Sequence, residues 1–151
     1  MLTTTETEEV KSTVREFFKK MTIEAEIGIS FKEETVVIDL KTEEPQILIG
    51  ERGQALVEIQ QLLKTILRKK IVEPFFVDLD INDYKKKKTE YLKEMARSAA
   101  DEVALTKKEK GLPPMPAYER RIIHLELSSR NDVATESVGE EPDRRVVIKL
   151  R

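Results

Sequence analysis

The sequence predicts an α+β protein of two small modules, and three observations support this class. Some segments place apolar residues three and four apart, the pattern of an amphipathic helix, and others alternate apolar with polar residues, the pattern of a half-buried strand. In the first half these patterns follow the order α-β-β-α-α-β. In the second half a proline-rich break separates a long helical pattern from a helix and two strands. We therefore expect one module over residues 1–82 and a second over 83–151.

The first module has six predicted elements. Its predicted elements are a helix over 6–20, strands over 23–31 and 35–40, a proline-initiated segment over 45–49, a helix of about four turns from Gln54, and a strand over 74–81. The polar turn Lys32-Glu33-Glu34 joins the first two strands, which predicts a β-hairpin. The helix from Gln54 has the clearest apolar stripe in the chain.

The second module begins with a long helix that runs from Asn82 or Asp83, either of which can cap it, toward Gly111. Prolines over 112–116 break that helix, because proline donates no backbone hydrogen bond. Pro116 then opens a helix to about Leu127, and strands follow over 133–138 and 146–150. In the helix to Leu127 the predicted core face is formed by Tyr118, Ile122 and Leu125, with Ile123 and Leu127 beside it.

Composition limits the classes of function. The chain has 151 residues and no cysteine, so a disulfide framework, a cysteine zinc site and a thiol nucleophile are excluded. The polar residues 1–9 do not form a signal peptide, and no segment approaches the ~18 apolar residues of a membrane span. We expect a soluble, cytoplasmic protein without membrane contact, metal or cofactor.

Charge is segregated along the chain although its net value is only −2. Residues 1–44 are acidic, whereas the segment Gly50–Lys70 and the lysine run Lys85–Lys88 are basic. Such segments are candidate contacts for a polyanion. The alternative is a solvated helix surface, and the role of the lysine run stays open.

A Gly-x-x-Gly loop, Gly50 to Gly53, joins a short helix to a long one. Glycines permit a tight turn and a close approach of another backbone, and the following helix presents its positive end. The signature Ile49, Gly50, Gly53, Leu56 resembles the KH domain, and the preceding helix and strand resemble its type II version. This resemblance implies that the loop clamps single-stranded nucleic acid. Glu51 offsets Arg52, so the clamp would depend on backbone amides; an ordinary helix-turn-helix corner is the alternative.

A second motif places Arg120 four residues before His124, on one face of a predicted helix. A guanidinium beside an imidazole can bind a phosphate. The Arg-x-x-x-His spacing resembles the R-three-H domain, a small α/β module that binds single-stranded nucleic acid. The segments Met115 to His124, Ser137 to Pro142 and Arg144 to Ile148 resemble that domain as it occurs in the Jag family of SpoIIIJ-associated proteins.

The Jag family joins a KH domain to an Arg-x-x-x-His domain in this order, and the resemblance covers nearly the whole chain. Many members carry an additional N-terminal domain, which we expect this chain to lack. The resemblance implies single-stranded RNA, or alternatively single-stranded DNA, as the ligand. It also implies a KH-containing protein partner or a homodimer as a second kind of partner.

The sequence thus predicts a non-enzymatic protein that binds single-stranded RNA, as a post-transcriptional regulator or RNA chaperone. The predicted RNA-binding residues are Ile49, Gly50, Glu51, Arg52, Gly53, Gln54, Arg120, Arg121, His124, Arg144 and Arg145. A dimerisation module in a cell-elongation or sporulation complex is the alternative. A nuclease that uses His124 ranks third, because no orienting carboxylate shares the helix face of this histidine.

Overall fold

A computed structural model describes residues 1–151, which form two compact units, Met1–Lys85 and Lys86–Arg151. Up to Ile81 the elements are α1 (Thr4–Lys20), β1 (Glu26–Lys32), β2 (Thr35–Lys41), α2 (Pro45–Ile49), a 3-10 turn (Glu51–Gly53), α3 (Gln54–Arg68) and β3 (Phe76–Ile81). After it they are α4 (Tyr84–Thr106), β4 (Lys110–Gly111), α5 (Ala117–Leu127), β5 (Val133–Val138) and β6 (Arg145–Leu150). The predicted α+β class is confirmed.

The first unit is built on a mixed sheet with the strand order β1-β2-β3. β2 pairs antiparallel with β1 and parallel with β3, so Ile38 lies opposite both Ile29 and Leu79. Alternation along β2 and β3 directs their apolar side chains to one face. There they form a core with buried residues of α1 and α3, such as Phe18 and Leu63.

The second unit has its own sheet, in the order β4-β6-β5, with antiparallel pairing throughout. Its core comes from α4, α5 and the two longer strands. The buried apolar side chains of those four elements are Leu92, Ala96, Ala99, Ala100, Val103, Ile123, Leu127, Val133, Val146 and Ile148. Each unit therefore buries a separate apolar cluster.

The start of α4 differs from the prediction of a cap at Asn82 or Asp83. Both residues have left-handed φ values, 49° and 56°. The Asp80 carboxylate instead accepts from the Lys85 amide at 3.0 Å. Asn82 donates to the Thr42 carbonyl at 2.8 Å and accepts from the Thr42 amide at 2.9 Å. The left-handed pair turns the chain so that Asp80, near the end of β3, reaches the Lys85 amide in the first turn of the helix.

The end of α4 also differs from the prediction. The helix ends at Thr106 rather than continuing toward Gly111, and Lys107 has a φ of 63°. Lys110 and Gly111 form the short strand β4, which pairs with Ile148 and Val147 of β6. Pairing with a distant strand is a tertiary effect, and local periodicity in the sequence does not reveal it.

The predicted core face of α5 is wrong. Tyr118 and Leu125 are 52% and 63% exposed, while Ile123 and Leu127 are buried together with Glu119 and Arg120. Both sets of residues have helical spacing, and the aliphatic stem of an arginine can pack in a core when its head group has partners. The observed rotation turns Arg120 inward, whereas the Arg-x-x-x-His motif predicted it on the face opposite the core.

Candidate nucleic-acid interface

The loop between α2 and α3 makes a tight turn that requires left-handed backbone at three positions. Gly50 has φ 71° and ψ −176°, a conformation essentially confined to glycine. Arg52 and Gly53 follow with φ values of 55° and 78°. The turn exposes Glu51 and Arg52 at its tip, and Gln54 is exposed at the start of α3.

Both glycines are required by contacts inside the first unit. A Cβ at Gly50 would lie 2.7 Å from the Ala55 Cβ and 2.9 Å from the Ala55 amide nitrogen. A Cβ at Gly53 would lie 3.0 Å from the Tyr84 ring, and Gly53 is buried. The space beside Gly53, which we expected to admit another backbone, is thus filled by Tyr84. The exposed tip, Glu51 and Arg52, is the part of the turn that remains accessible.

Hydrogen bonds within the loop limit its free amides. The amide of Gly50 donates to Gln46, that of Gly53 to Gly50 at 3.4 Å, and that of Gln54 to Glu51. The Gln54 side chain donates to Glu58 at 3.0 Å. Ile49 is partly buried against the core. The amides of Gly50, Gly53 and Gln54 are therefore engaged within the protein, whereas the Arg52 side chain is exposed.

Arg120 lies inside the second unit, with only 9% of its side chain exposed. Its Nε donates to the Met115 carbonyl at 3.2 Å, and its Nη2 donates to a Glu141 carboxylate oxygen at 2.6 Å. The guanidinium therefore faces a carboxylate rather than open solvent. This differs from the expected exposed phosphate seat, because α5 is rotated toward the core at this position.

His124 is held between α5 and β5 by hydroxyl groups. Its Nδ1 lies 2.7 Å from the Thr135 hydroxyl oxygen, and its Nε2 lies 2.8 Å from the Ser137 hydroxyl oxygen. Burial lowers the pKa of His124, and the positive charge of Arg120 lowers it further. At neutral pH the ring is neutral, so one nitrogen donates to a hydroxyl and the other accepts from one. His124 thereby joins the helix to the sheet.

The remaining predicted arginines differ in their surroundings. Arg121 is exposed on α5. Arg144 is half-buried before β6 and donates from Nη1 to the Gly139 carbonyl at 2.6 Å. Arg145 is exposed on β6, and its stem lies alongside Gly111. Arg121 and Arg145 are therefore the most accessible cations that the sequence assigned to this unit.

Half of the lysine run is bound to protein groups. Lys85 donates to Asp78 at 2.7 Å and to Gln60 at 2.8 Å. Lys88 lies 3.9 Å from a Glu119 carboxylate oxygen and 5.5 Å from the centre of the Tyr91 ring. Lys86 and Lys87 are exposed.

No cluster of three or more acidic, histidine or cysteine side chains has the arrangement of a metal site.

Comparison with known proteins assigns both units to families. The family model described as KH domain matches residues 9–90, more than half of the chain. The chain belongs to the KH family. A second model, that of the R-three-H domain, matches residues 90–150. The predicted resemblance to the Jag family, with a KH domain before an Arg-x-x-x-His domain, is confirmed.

Curated relatives of this KH protein carry the name RNA-binding protein KhpB. One from Clostridium symbiosum is 36% identical over 140 residues, which is 91% of this chain and 63% of the relative. One from Bacillus subtilis is 34% identical, covering 82% of this chain and 61% of the relative. One from Lactiplantibacillus plantarum is 32% identical, covering 88% and 41%. The chain thus spans between 41% and 63% of the length of these relatives.

In this KH protein the structure adds a candidate, Tyr118, whose helical spacing predicted a place in the core. Tyr118 shares the exposed face of α5 with Arg121 and Leu125. An exposed aromatic ring near an arginine is suited to base stacking with a phosphate contact. The sequence did contain a signal for this exposure, because Ile123 and Leu127 form a second apolar stripe on α5 that competes with Tyr118 for the buried side.

No helix of the chain is both long and apolar enough to span a bilayer.

Proposed function

We propose that this chain binds single-stranded RNA in the cytoplasm and catalyses no reaction, as a post-transcriptional regulator or RNA chaperone. Two modules share the binding, a KH module over residues 1–82 and an Arg-x-x-x-His module over 83–151. The observation that carries the proposal is the exposed arginine at the tip of the Gly-x-x-Gly loop in a chain of the KH family. The name of the relatives supports RNA over DNA.

The predicted residues divide by role in this proposal. Gly50 and Gly53 shape the loop, Ile49 anchors it to the core, and Glu51, Arg52 and Gln54 face the ligand. In the second module Arg121 and Arg145 supply accessible positive charge, and Tyr118 offers a ring. His124 links α5 to β5 through the Thr135 and Ser137 hydroxyls, and Arg144 holds the backbone at Gly139.

The proposal is tested at the loop tip rather than at the glycines, since a side chain at Gly50 would collide with Ala55. Arg52→Asp reverses a charge at a left-handed position that aspartate tolerates. The matched control is Arg15→Asp, which makes the same charge change on the exposed side of α1. Fluorescence anisotropy with a labelled single-stranded RNA at several salt concentrations measures the affinity of each variant.

We expect Arg52→Asp to weaken RNA binding by about three- to ten-fold. The slope of log K against log salt concentration should become shallower by about 0.7, the change for one lost phosphate contact on a single strand. Arg15→Asp should change the affinity much less. Equal effects of the two substitutions would show that only net charge matters and would remove the loop from the interface. A wild-type protein without RNA affinity at low salt would disprove the function.

A protein-interaction module is the second candidate, and a groove in the first unit favours it. Met21 and Ile47 are exposed apolar side chains in this groove. Glu24, Glu43 and Glu44 also line it. This surface suits a basic or apolar partner better than RNA. Sedimentation with and without nuclease separates the candidates, because assembly through this groove would survive nuclease treatment.

A further inference from the structure

We propose that Glu141 fills an anion site at Arg120, and that an RNA phosphate replaces its carboxylate in the bound state. The inference rests on the proposed RNA binding and adds to it. It identifies Glu141 as the group of this chain that competes for the phosphate contact predicted at Arg120. The carboxylate and the phosphate are alternative ligands of one guanidinium.

The guanidinium is fixed in direction before any ligand arrives. The Nε–H of Arg120 is bound to the Met115 carbonyl at 3.2 Å, and the side chain is 9% exposed. Because the guanidinium is planar and rigid, this anchor determines where Nη2 points. It points at a Glu141 carboxylate oxygen 2.6 Å away. The site therefore offers a preorganised donor for an anion.

The two partners of this ion pair differ in how easily each can leave. Arg120 is buried, and a buried cation without an anion is strongly unfavourable. Glu141 is 59% exposed, so its carboxylate can turn into water at little cost. The arginine thus requires an anion, while the particular anion is exchangeable. A phosphate oxygen meets the same requirement and forms a strong charge-assisted hydrogen bond.

The loop that carries Glu141 is acidic, so exchange of its carboxylate for a phosphate affects RNA binding. Glu140, Glu141 and Asp143 are exposed acidic residues between β5 and β6. With Glu141 bound to Arg120, these charges stay beside the Arg-x-x-x-His motif and repel a phosphate backbone. Release of Glu141 exposes the guanidinium and relieves this repulsion. Glu141 therefore acts as an internal competitor that lowers the affinity of the second unit for RNA.

The test compares two neutralising substitutions in the same loop. Glu141→Gln removes the competing charge but keeps a side-chain oxygen that can accept from Arg120. Glu140→Gln makes the same change in net charge, and the Glu140 group that accepts from Asp143 is its backbone carbonyl. Fluorescence anisotropy with the same labelled single-stranded RNA gives the affinity and the salt dependence of both single variants. The double variant Arg120→Gln/Glu141→Gln tests whether the gain requires the guanidinium.

We expect Glu141→Gln to bind RNA about three- to ten-fold more tightly than Glu140→Gln at moderate salt. The two variants should have a similar salt dependence, because the Arg120–phosphate contact forms in both bound states. The double variant should lose this gain. Equal affinities for the two single variants would overturn the proposal, and so would a gain that persists without Arg120.

A measurement on the wild-type protein keeps the test decisive if a variant unfolds. The Arg120 Nε–H is hydrogen-bonded and should give a resolved signal in a ¹⁵N-correlated NMR spectrum. We expect saturation with RNA to shift it. RNA binding with an unmoved Arg120 signal would overturn this inference alone, whereas a wild-type protein that binds no RNA would overturn the proposed function as well.

Discussion

His124 shows that the surroundings of a residue, rather than its type, decide its role. A single histidine in a short chain raises the question of general acid or base catalysis. In the structure both ring nitrogens are engaged by Thr135 and Ser137 at 2.7 and 2.8 Å. The neighbouring ionic group is the cation of Arg120, not an orienting carboxylate. This arrangement suits a structural link between α5 and β5, and the lowered pKa favours the neutral ring.

The lowered pKa of His124 makes the second unit sensitive to acid. In the unfolded chain the ring titrates near its ordinary value of about 6.5. Burial and then the Arg120 charge place the pKa lower in the folded state. Below that ordinary value the unfolded state binds more protons, so the stabilisation by neutral His124 is complete above it and decreases as pH falls through the folded-state pKa.

We therefore predict that the melting temperature falls more between pH 7 and pH 5 for the wild type than for His124→Gln. Thermal unfolding followed by circular dichroism at several pH values measures this difference. Glutamine cannot become charged, so the variant serves as the reference for all other titrating groups. Parallel pH profiles for the two proteins would contradict the prediction.

At the scale of elements, side chains at helix ends show how tertiary geometry selects among similar candidates. Asp80, Asn82 and Asp83 are all capable of capping α4, and sequence proximity favoured the last two. The left-handed turn at residues 82 and 83 gives the cap to Asp80, whose Oδ1 lies 3.0 Å from the Lys85 nitrogen. Asn82 is used instead to bind the end of β2 at Thr42.

We predict that Asp80→Ala destabilises the protein by about 0.5–2 kcal/mol, the usual cost of removing a capping side chain. The matched control is Asp39→Ala, because Asp39 lies directly opposite Asp80 on β2 and is exposed. Removing one of two adjacent carboxylates should leave stability unchanged or slightly raised. Urea unfolding followed by circular dichroism compares the free energies of unfolding; equal losses would contradict the assigned cap.

At the scale of the whole molecule, the chain has two apolar cores with no shared buried residue. The first extends from Val10 to Ile81 and the second from Leu92 to Ile148. A cavity in one core removes packing from that unit directly. The stability of the two units should therefore respond separately to core substitutions.

We predict that Ile148→Ala destabilises the second unit by about 2–5 kcal/mol while the first keeps its protection. Hydrogen exchange followed by mass spectrometry should show faster exchange in residues 86–151 and unchanged exchange in β1, β2 and β3. Leu79→Ala, at a fully buried position of the first core, should give the reverse pattern. Uniform loss of protection in both variants would mean that the units unfold together.

The sequence by itself determined the order of the longer elements, the Gly-x-x-Gly loop and the pairing of two domain types. These features depend on local periodicity, on glycine and proline, and on motifs of contiguous residues. It did not determine the short strand β4, the cap of α4 or the rotation of α5, although Ile123 and Leu127 were correctly placed near the core.

Only the tertiary structure decided that Arg120 faces Glu141 and that Tyr118 faces solvent. Both apolar stripes of α5 satisfy helical spacing, and the choice between them depends on which neighbours supply partners. The Met115 carbonyl and the Glu141 carboxylate make burial of the Arg120 guanidinium favourable. Such partners come from segments that are brought together only by folding, so the direction of a charged side chain is set by packing and hydrogen bonding across the unit.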